Sequence, residues 1–233
     1  MTEAPIPSPN IWHDPDLYET ENLGVDRAGV IEAAMRQVQD WSGLDVLDIG
    51  CGTGFHLPRF AETARSVVGV EPHPPLVERA RARLAAGRHT GEVCVVPGSA
   101  AATGRPAAGV DVAHARWAYF FGPGCEPGLR ELDRVMRPGG VAFVVDNDVS
   151  RSTFGAWFRR SRPDYDAEGV ERFWARQGWE RVPLEIAWTF DTRANFKAVV
   201  RLELTEAVAE DVLREEPLRT GVDYAVVLRW RRF

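Results

Sequence analysis

Residues 46–54, Val-Leu-Asp-Ile-Gly-Cys-Gly-Thr-Gly, constrain this 233-residue chain more than any other stretch. Val46, Leu47 and Ile49 surround one acid, Asp48, in the manner of a short buried strand. Gly50, Gly52 and Gly54 follow at every second position. Such a run lets the backbone turn sharply and leaves no β-carbon in the way of a ligand. Beyond it, Leu57, Phe60, Ala61 and Ala64 are spaced for one face of a helix. Pro58 suits the first turn, where an N–H has no intrahelical partner. The unit is therefore strand, glycine loop, helix, a turn that many α/β proteins use.

The next apolar run, Ser66-Val67-Val68-Gly69-Val70-Glu71, ends in an acid. In a doubly wound sheet that carboxylate sits beside the first strand's loop and accepts hydrogen bonds from a ribose diol. A nucleoside ligand is expected. The dinucleotide pattern G-x-G-x-x-G fails in both registers, because Phe55 or Leu57 stands where the third glycine belongs. The phosphate-cradling pattern G-x-x-x-x-G-K-[ST] fails too, since Lys197 is the only lysine.

What remains is Asp-x-Gly-x-Gly-x-Gly with Glu71 beyond it. It resembles the first motif, and the acidic strand end after it, of class I S-adenosylmethionine-dependent methyltransferases of the small-molecule type, over about residues 40–147. A helix over 126–136, then Arg137-Pro138-Gly139-Gly140 and an apolar strand, resembles the same core. The resemblance implies an α/β fold: a doubly wound, seven-stranded, mostly parallel, Rossmann-like sheet with an antiparallel last strand. A small aromatic cap is expected beside it. The implied cofactor is S-adenosyl-L-methionine. Gly50, Gly52 and Gly54 would lie under its methionine and ribose parts. Asp48 would order the loop near its amino group, and Glu71 would hold the ribose hydroxyls. Family members often carry an acid or amide where this chain has Ser99 and Ala100, so the adenine contact falls to Ser99 or nearby backbone. Ala115, ending the fourth strand, would lie beside the donor.

Composition narrows the partners. Hydrophobic residues make 45% of the chain, enough for a sizeable core. A net charge of −6 argues against nucleic acid as a substrate. Cys51, Cys94 and Cys125 are odd in number and form no disulfide framework, which fits a reducing cytoplasm. No signal peptide is expected, and no stretch approaches the length of a membrane span.

The chain reads as one domain, 1–233. Residues 1–10 are proline-rich and expected to be disordered. Ile11 to Glu21 carries Trp12 and Tyr18, either as a flap over the ligand or as packing on the core edge. The first 40 residues make this flap and one helix, and 41–147 the cofactor-binding core. Residues 148–178 read as a lid insertion with Phe154, Trp157 and Phe158, then a helix; 179–233 supply the last strands and helices. The Pro-His-Pro-Pro run after Glu71 argues against an immediate helix.

The acceptor side gathers beyond the carboxyl ends of the strands. Arg116 is read as a partner for a substrate anion, with Trp12, Tyr18 and Tyr119 as pocket walls. His114 or Asp146 would be a base if the acceptor must lose a proton. His114 reads equally as a core histidine, and Asp146 as a cap. No metal is expected. The substrate expected is a small organic molecule. Two other readings stand: a nicotinamide-dependent oxidoreductase on the same sheet, and a non-catalytic nucleoside-binding module. Oligomeric state is not legible.

Overall fold

The computed structural model describes Ser8 and residues 10–233, so most of the proline-rich stretch 1–10 lies outside the described residues. Strands β1 (Asp45–Ile49), β2 (Ser66–Glu71), β3 (Glu92–Pro97), β4 (Val110–Arg116), β5 (Met136–Asn147), β6 (Glu180–Thr189) and β7 (Gly221–Arg232) form one sheet. Its 7 strands run in the order β3-β2-β1-β4-β5-β7-β6. Strands β1 to β5 pair in parallel, and β7 runs antiparallel between β5 and β6. The doubly wound sheet with a reversed last strand is therefore present as expected.

Helices α1 (Pro15–Gly24), α2 (Val30–Val38), α3 (Leu57–Ala61), α4 (Pro74–Ala86), α5 (Glu126–Val135), α6 (Thr153–Ser161), α7 (Ala167–Arg176), α8 (Arg193–Glu203) and α9 (Glu206–Glu215) cover it. One face packs on Ile31 and Met35 of α2, Phe60 of α3, Phe154 of α6 and Phe196 of α8. The other packs on Leu129 and Leu132 of α5 and Phe173 and Trp174 of α7. Side chains alternate along a strand, so each central strand feeds both cores. Val46 goes to the first and Leu47 to the second. Among the described residues no helix is long and apolar enough to cross a membrane.

Three boundaries differ from the sequence reading. Helix α4 begins at Pro74, because two prolines occupy its first positions. Neither needs an N–H there, so the run starts the helix rather than delaying it. Arg137 to Gly140, expected as a turn, belongs to β5, whose register on β4 shifts between Val110 and Val112. The sequence pattern predicts a strand only from Glu185 to Phe190, whereas β6 starts at Glu180, paired from Glu180↔Trp230 to Thr189↔Gly221.

The stretch expected as a lid contains α6, which coats the sheet. Phe154 lies 4.3 Å from Tyr224 and 4.5 Å from Trp188, ring centre to ring centre, and Trp157 is buried as well. The aromatic cluster is thus part of the core under α6 and α8.

Candidate functional site

The loop after β1 is fastened by backbone. Gly50 N–H and Cys51 N–H both donate to Val70 O, at 2.8 and 3.1 Å, which ties the loop to the end of β2. Gly52 N–H donates to Glu71 Oε2 at 3.0 Å, and His73 N–H donates to Glu71 Oε1 at 3.0 Å. Each carboxylate oxygen keeps further lone pairs, so Glu71 can still accept from a diol. Burial pushes its carboxyl pKa up, against the pull of those two N–H groups.

The loop's glycines are required by geometry. Gly50 has φ +70°, and a β-carbon on it would lie 2.5 Å from Ala118 Cβ. Gly52 has φ +56°, and its β-carbon would lie 2.7 Å from Ile11 Cδ1. At Gly50 and Gly52 only backbone fits, because Ala118 from the exit of β4 and Ile11 from the N-terminal segment close in on them. That segment crosses it. The Trp12 ring stacks on His73 at 4.2 Å, Thr53 donates to Glu19, and Arg83 pairs with Glu19 at 2.5 Å.

Asp48, expected to order this loop, is buried against His114, with Oδ1 2.7 Å from Nδ1. The loop's own bonds run to Val70, Cys51 and Glu71 instead. Ser99 and Ala102 exchange backbone hydrogen bonds of 3.2 and 3.1 Å in a tight turn after β3. Ala100 is buried in that turn beside Val70 and the second core. Ala115, the neighbour of His114, points into the same core.

The exit of β4 is strained. Trp117 and Tyr119 have φ +48° and +58°, in the left-handed region that costs a bulky residue about 1–3 kcal/mol. Trp117 is held there by Asn147, whose Oδ1 accepts from Trp117 Nε1 at 2.8 Å and from Tyr224 OH at 2.5 Å. Trp117 and Tyr224 stack at 6.0 Å.

Of the four acceptor-side residues read from the sequence, Tyr18 and Arg116 come together. Arg116 sits on the Trp117 ring, 4.5 Å from its centre, and its charge acts on Tyr18. Trp12 lies on the nucleoside side, over His73. Tyr119 turns towards α5, against Phe120 and Gly128. The two proposed bases separate. His114 opposes Phe143 on the β5 ladder and shares its face, whereas Asp146, three positions on, faces the opposite side. Asp146 lies towards Arg229 and Glu171, and burial pushes its pKa up to about 7.

Several groups were not read from the sequence. Glu21 on α1 is buried facing Glu203 at the end of α8, and Asn10 donates to Glu203. Burial pushes Glu203 up to about 7 and Glu21 well above the ordinary range. Tyr18 and Glu21 lie three apart on one helix face, which is the one signal the sequence held. His56 is also in the site. Burial and then Arg116 keep it below the usual imidazole range, as a neutral ring 5.9 Å from His114.

A cleft of about 340 Å³ opens between the α1–α2 corner and α3, lined by Asp26, His56, Phe60, His114 and Arg116 among others. It adjoins the glycine loop at the exit of β4.

Residues 46–140 match the family model described as a methyltransferase domain. A malonyl-[acyl-carrier protein] O-methyltransferase of Pectobacterium atrosepticum is 33% identical over 121 residues, covering 51% of this chain and 45% of that protein. The chain thus spans about half the length of that curated relative. A putative methyltransferase structure from Bacillus halodurans superposes with TM-score 0.61 at 18% identity, covering 86% of this chain and 97% of that one. A SAM-dependent methyltransferase from Aquifex aeolicus gives TM-score 0.55 at 18% identity, covering 72% and 90%. These structural likenesses carry the fold. Residues 46–140 thus match a methyltransferase domain, on a sheet of the Rossmann-like methyltransferase fold.

Proposed function

We propose that the protein transfers a methyl group from S-adenosylmethionine to a small organic acceptor. The observation that carries this is the Glu71 carboxylate, bonded to Gly52 N–H in a loop where Gly50 and Gly52 have no room for a β-carbon. The residues fit the cofactor. Glu71 would take the ribose hydroxyls, the 50–54 loop the methionyl part, and the 99–102 turn the adenine. When bound, the sulfonium supplies an electrophilic methyl, transferred by in-line displacement with a neutral thioether leaving.

The chain's part is then positioning, which supplies about 7–11 kcal/mol in favourable cases. A cleft of about 340 Å³ is the size of a small-molecule pocket. His114 is the base candidate that faces the cleft. With Nδ1 on Asp48, its Nε2 is the atom left to take a proton from an acceptor.

The test is calorimetric titration with S-adenosylhomocysteine, followed by incubation with methyl-labelled cofactor and a small-metabolite extract. Saturable binding and one labelled small product are expected. No binding, or label appearing only on macromolecules, would sink the reading.

A further inference from the structure

Arg116 lines the cleft between the α1–α2 corner and α3. It makes no ion pair or hydrogen bond through its side chain among the described residues, and its buried Nε has no partner. No nearby acid closes an ion pair on it, although Asp26, Asp48 and Glu21 all act on its charge. Asp26 caps α2, accepting from Val30 N–H at 2.8 Å and Ile31 N–H at 2.9 Å. Asp48 holds His114, and Glu21 faces Glu203. A guanidinium presents five donors in a fixed fork that matches a carboxylate. Burying one without an anion is costly, and a ligand that supplies the anion recovers that cost.

We propose that this cleft binds an acceptor bearing a carboxylate, with Arg116 as its counterion. Arg116 lies over the Trp117 ring, 4.5 Å from its centre, and lines the cleft. Val25, Met35 and Phe60 line the cleft behind it, which favours an apolar body on the acid. His56 is held neutral beside it and brings no competing charge. The exit of β4 places Arg116 two residues from Ala118, which touches the space above Gly50, so this site adjoins the glycine loop. Naming the ligand an acceptor rests on the methyl-transfer reading; the anion site itself does not.

The experiment titrates the full-length protein, saturated with S-adenosylhomocysteine, with propionate, octanoate and 3-phenylpropionate. Each is set against its neutral alcohol. At least one acid is expected to bind ten or more times tighter than its alcohol. Arg116→Met should erase that preference, and Arg116→Lys should keep part of it. Arg116→Met should melt no lower than the wild type and bind S-adenosylhomocysteine within about twofold. Equal binding of acids and alcohols, or an acid preference that survives Arg116→Met, would overturn the proposal. So would an Arg116→Met variant that loses S-adenosylhomocysteine but keeps 5′-methylthioadenosine, since Arg116 would then serve the cofactor's own carboxylate. Failure of the wild type to bind S-adenosylhomocysteine counts against the methyl-transfer reading alone, because the acid titration can be repeated without it.

Discussion

The two halves of the site, beyond β1–β2 and beyond β4–β5, are built by different means. The first is made of backbone: three left-handed glycines, N–H groups on Val70 O, and one carboxylate bridging Gly52 and His73. The second is made of side chains from distant elements. Tyr18 and Glu21 come from α1, Arg116 from β4 and Trp117 from its exit, Asn147 from β5, Glu203 from α8 and Tyr224 from β7. A backbone cradle suits a fixed ligand and tolerates little change. A side-chain chamber can be rebuilt for a new acceptor while the sheet beneath it stays the same.

This contrast predicts where substitution hurts most. Glu71→Ala removes the two loop bonds as well as the diol acceptor. Charge-assisted hydrogen bonds are each worth about 1.5–3 kcal/mol, so affinity for S-adenosylhomocysteine should fall by about 10³-fold. Calorimetry on the variant reads this directly. Unchanged affinity would mean the backbone half is not the cofactor's. His114→Gln belongs to the other half. It should lower kcat about 10²-fold at saturating cofactor, the low end for general base catalysis, while S-adenosylhomocysteine affinity holds. If affinity falls with kcat, the two halves are not separable, because Asp48 has carried the damage into the loop.

A pH titration of stability sharpens the comparison further. The Asp146 pKa rises from 3.8 to about 7 on folding, because burial disfavours the charged form. Below about pH 4 the carboxyl is protonated in both states and costs nothing. As pH rises towards 7, the unfolded chain ionises this carboxyl while the folded protein keeps it protonated, so stability is lost across that window and levels off above it. Each pKa unit is worth about 1.4 kcal/mol. Glu203, also raised by burial to about 7, adds loss in the same window from the acceptor half. Denaturant midpoints of Asp146→Asn should therefore fall less steeply between pH 4 and 7. Adding Glu203→Gln should flatten the curve again. A single variant that flattens it completely would assign the whole effect to one face of the sheet.

The same division explains what could be read from the sequence. The backbone half was legible because local patterns encode it: alternate glycines, an apolar run closing on Glu71, and strand β2 at its observed limits of Ser66 and Glu71. The antiparallel end of the sheet was partly legible. Val182, Leu184, Ile186 and Trp188 alternate, yet Arg181, Pro183 and Glu185 between them obscure the strand that β7 pairs along its full length. The start of α4 was obscured by reading prolines as breakers rather than as first-turn residues. The acceptor half has no local signature. Nothing near Glu203 announces Glu21, and nothing near His114 announces Asp48, because the chain meets itself there only after the sheet has formed. Phe154 and Trp157 read as a lid for the same reason, since the aromatic floor they pack on comes from β6, β7 and α8.

The smallest expected effect lies where the halves meet. Helix α1 crosses from the glycine loop to α8, and it is held on the loop side by Glu19, which pairs with Arg83 and accepts from Thr53. The pair is partly exposed, and such pairs contribute about 0.5 kcal/mol, so Arg83→Ala should barely move the melting point. Its local consequence should be larger than its global one. Loosened on α4, though Asp16 still pairs with Arg79 at 2.6 Å, residues 10–24 should open more often without unfolding the sheet, and amide exchange there should quicken while β1 and β4 stay protected. Bound S-adenosylhomocysteine should slow it again, because the segment carrying Ile11 and Trp12 lies over the loop the cofactor would fill. Exchange that quickens equally across β4 would show that the segment is part of the sheet's own stability. The two halves would then be one cooperative unit rather than a fixed cradle under a cover that opens independently of it.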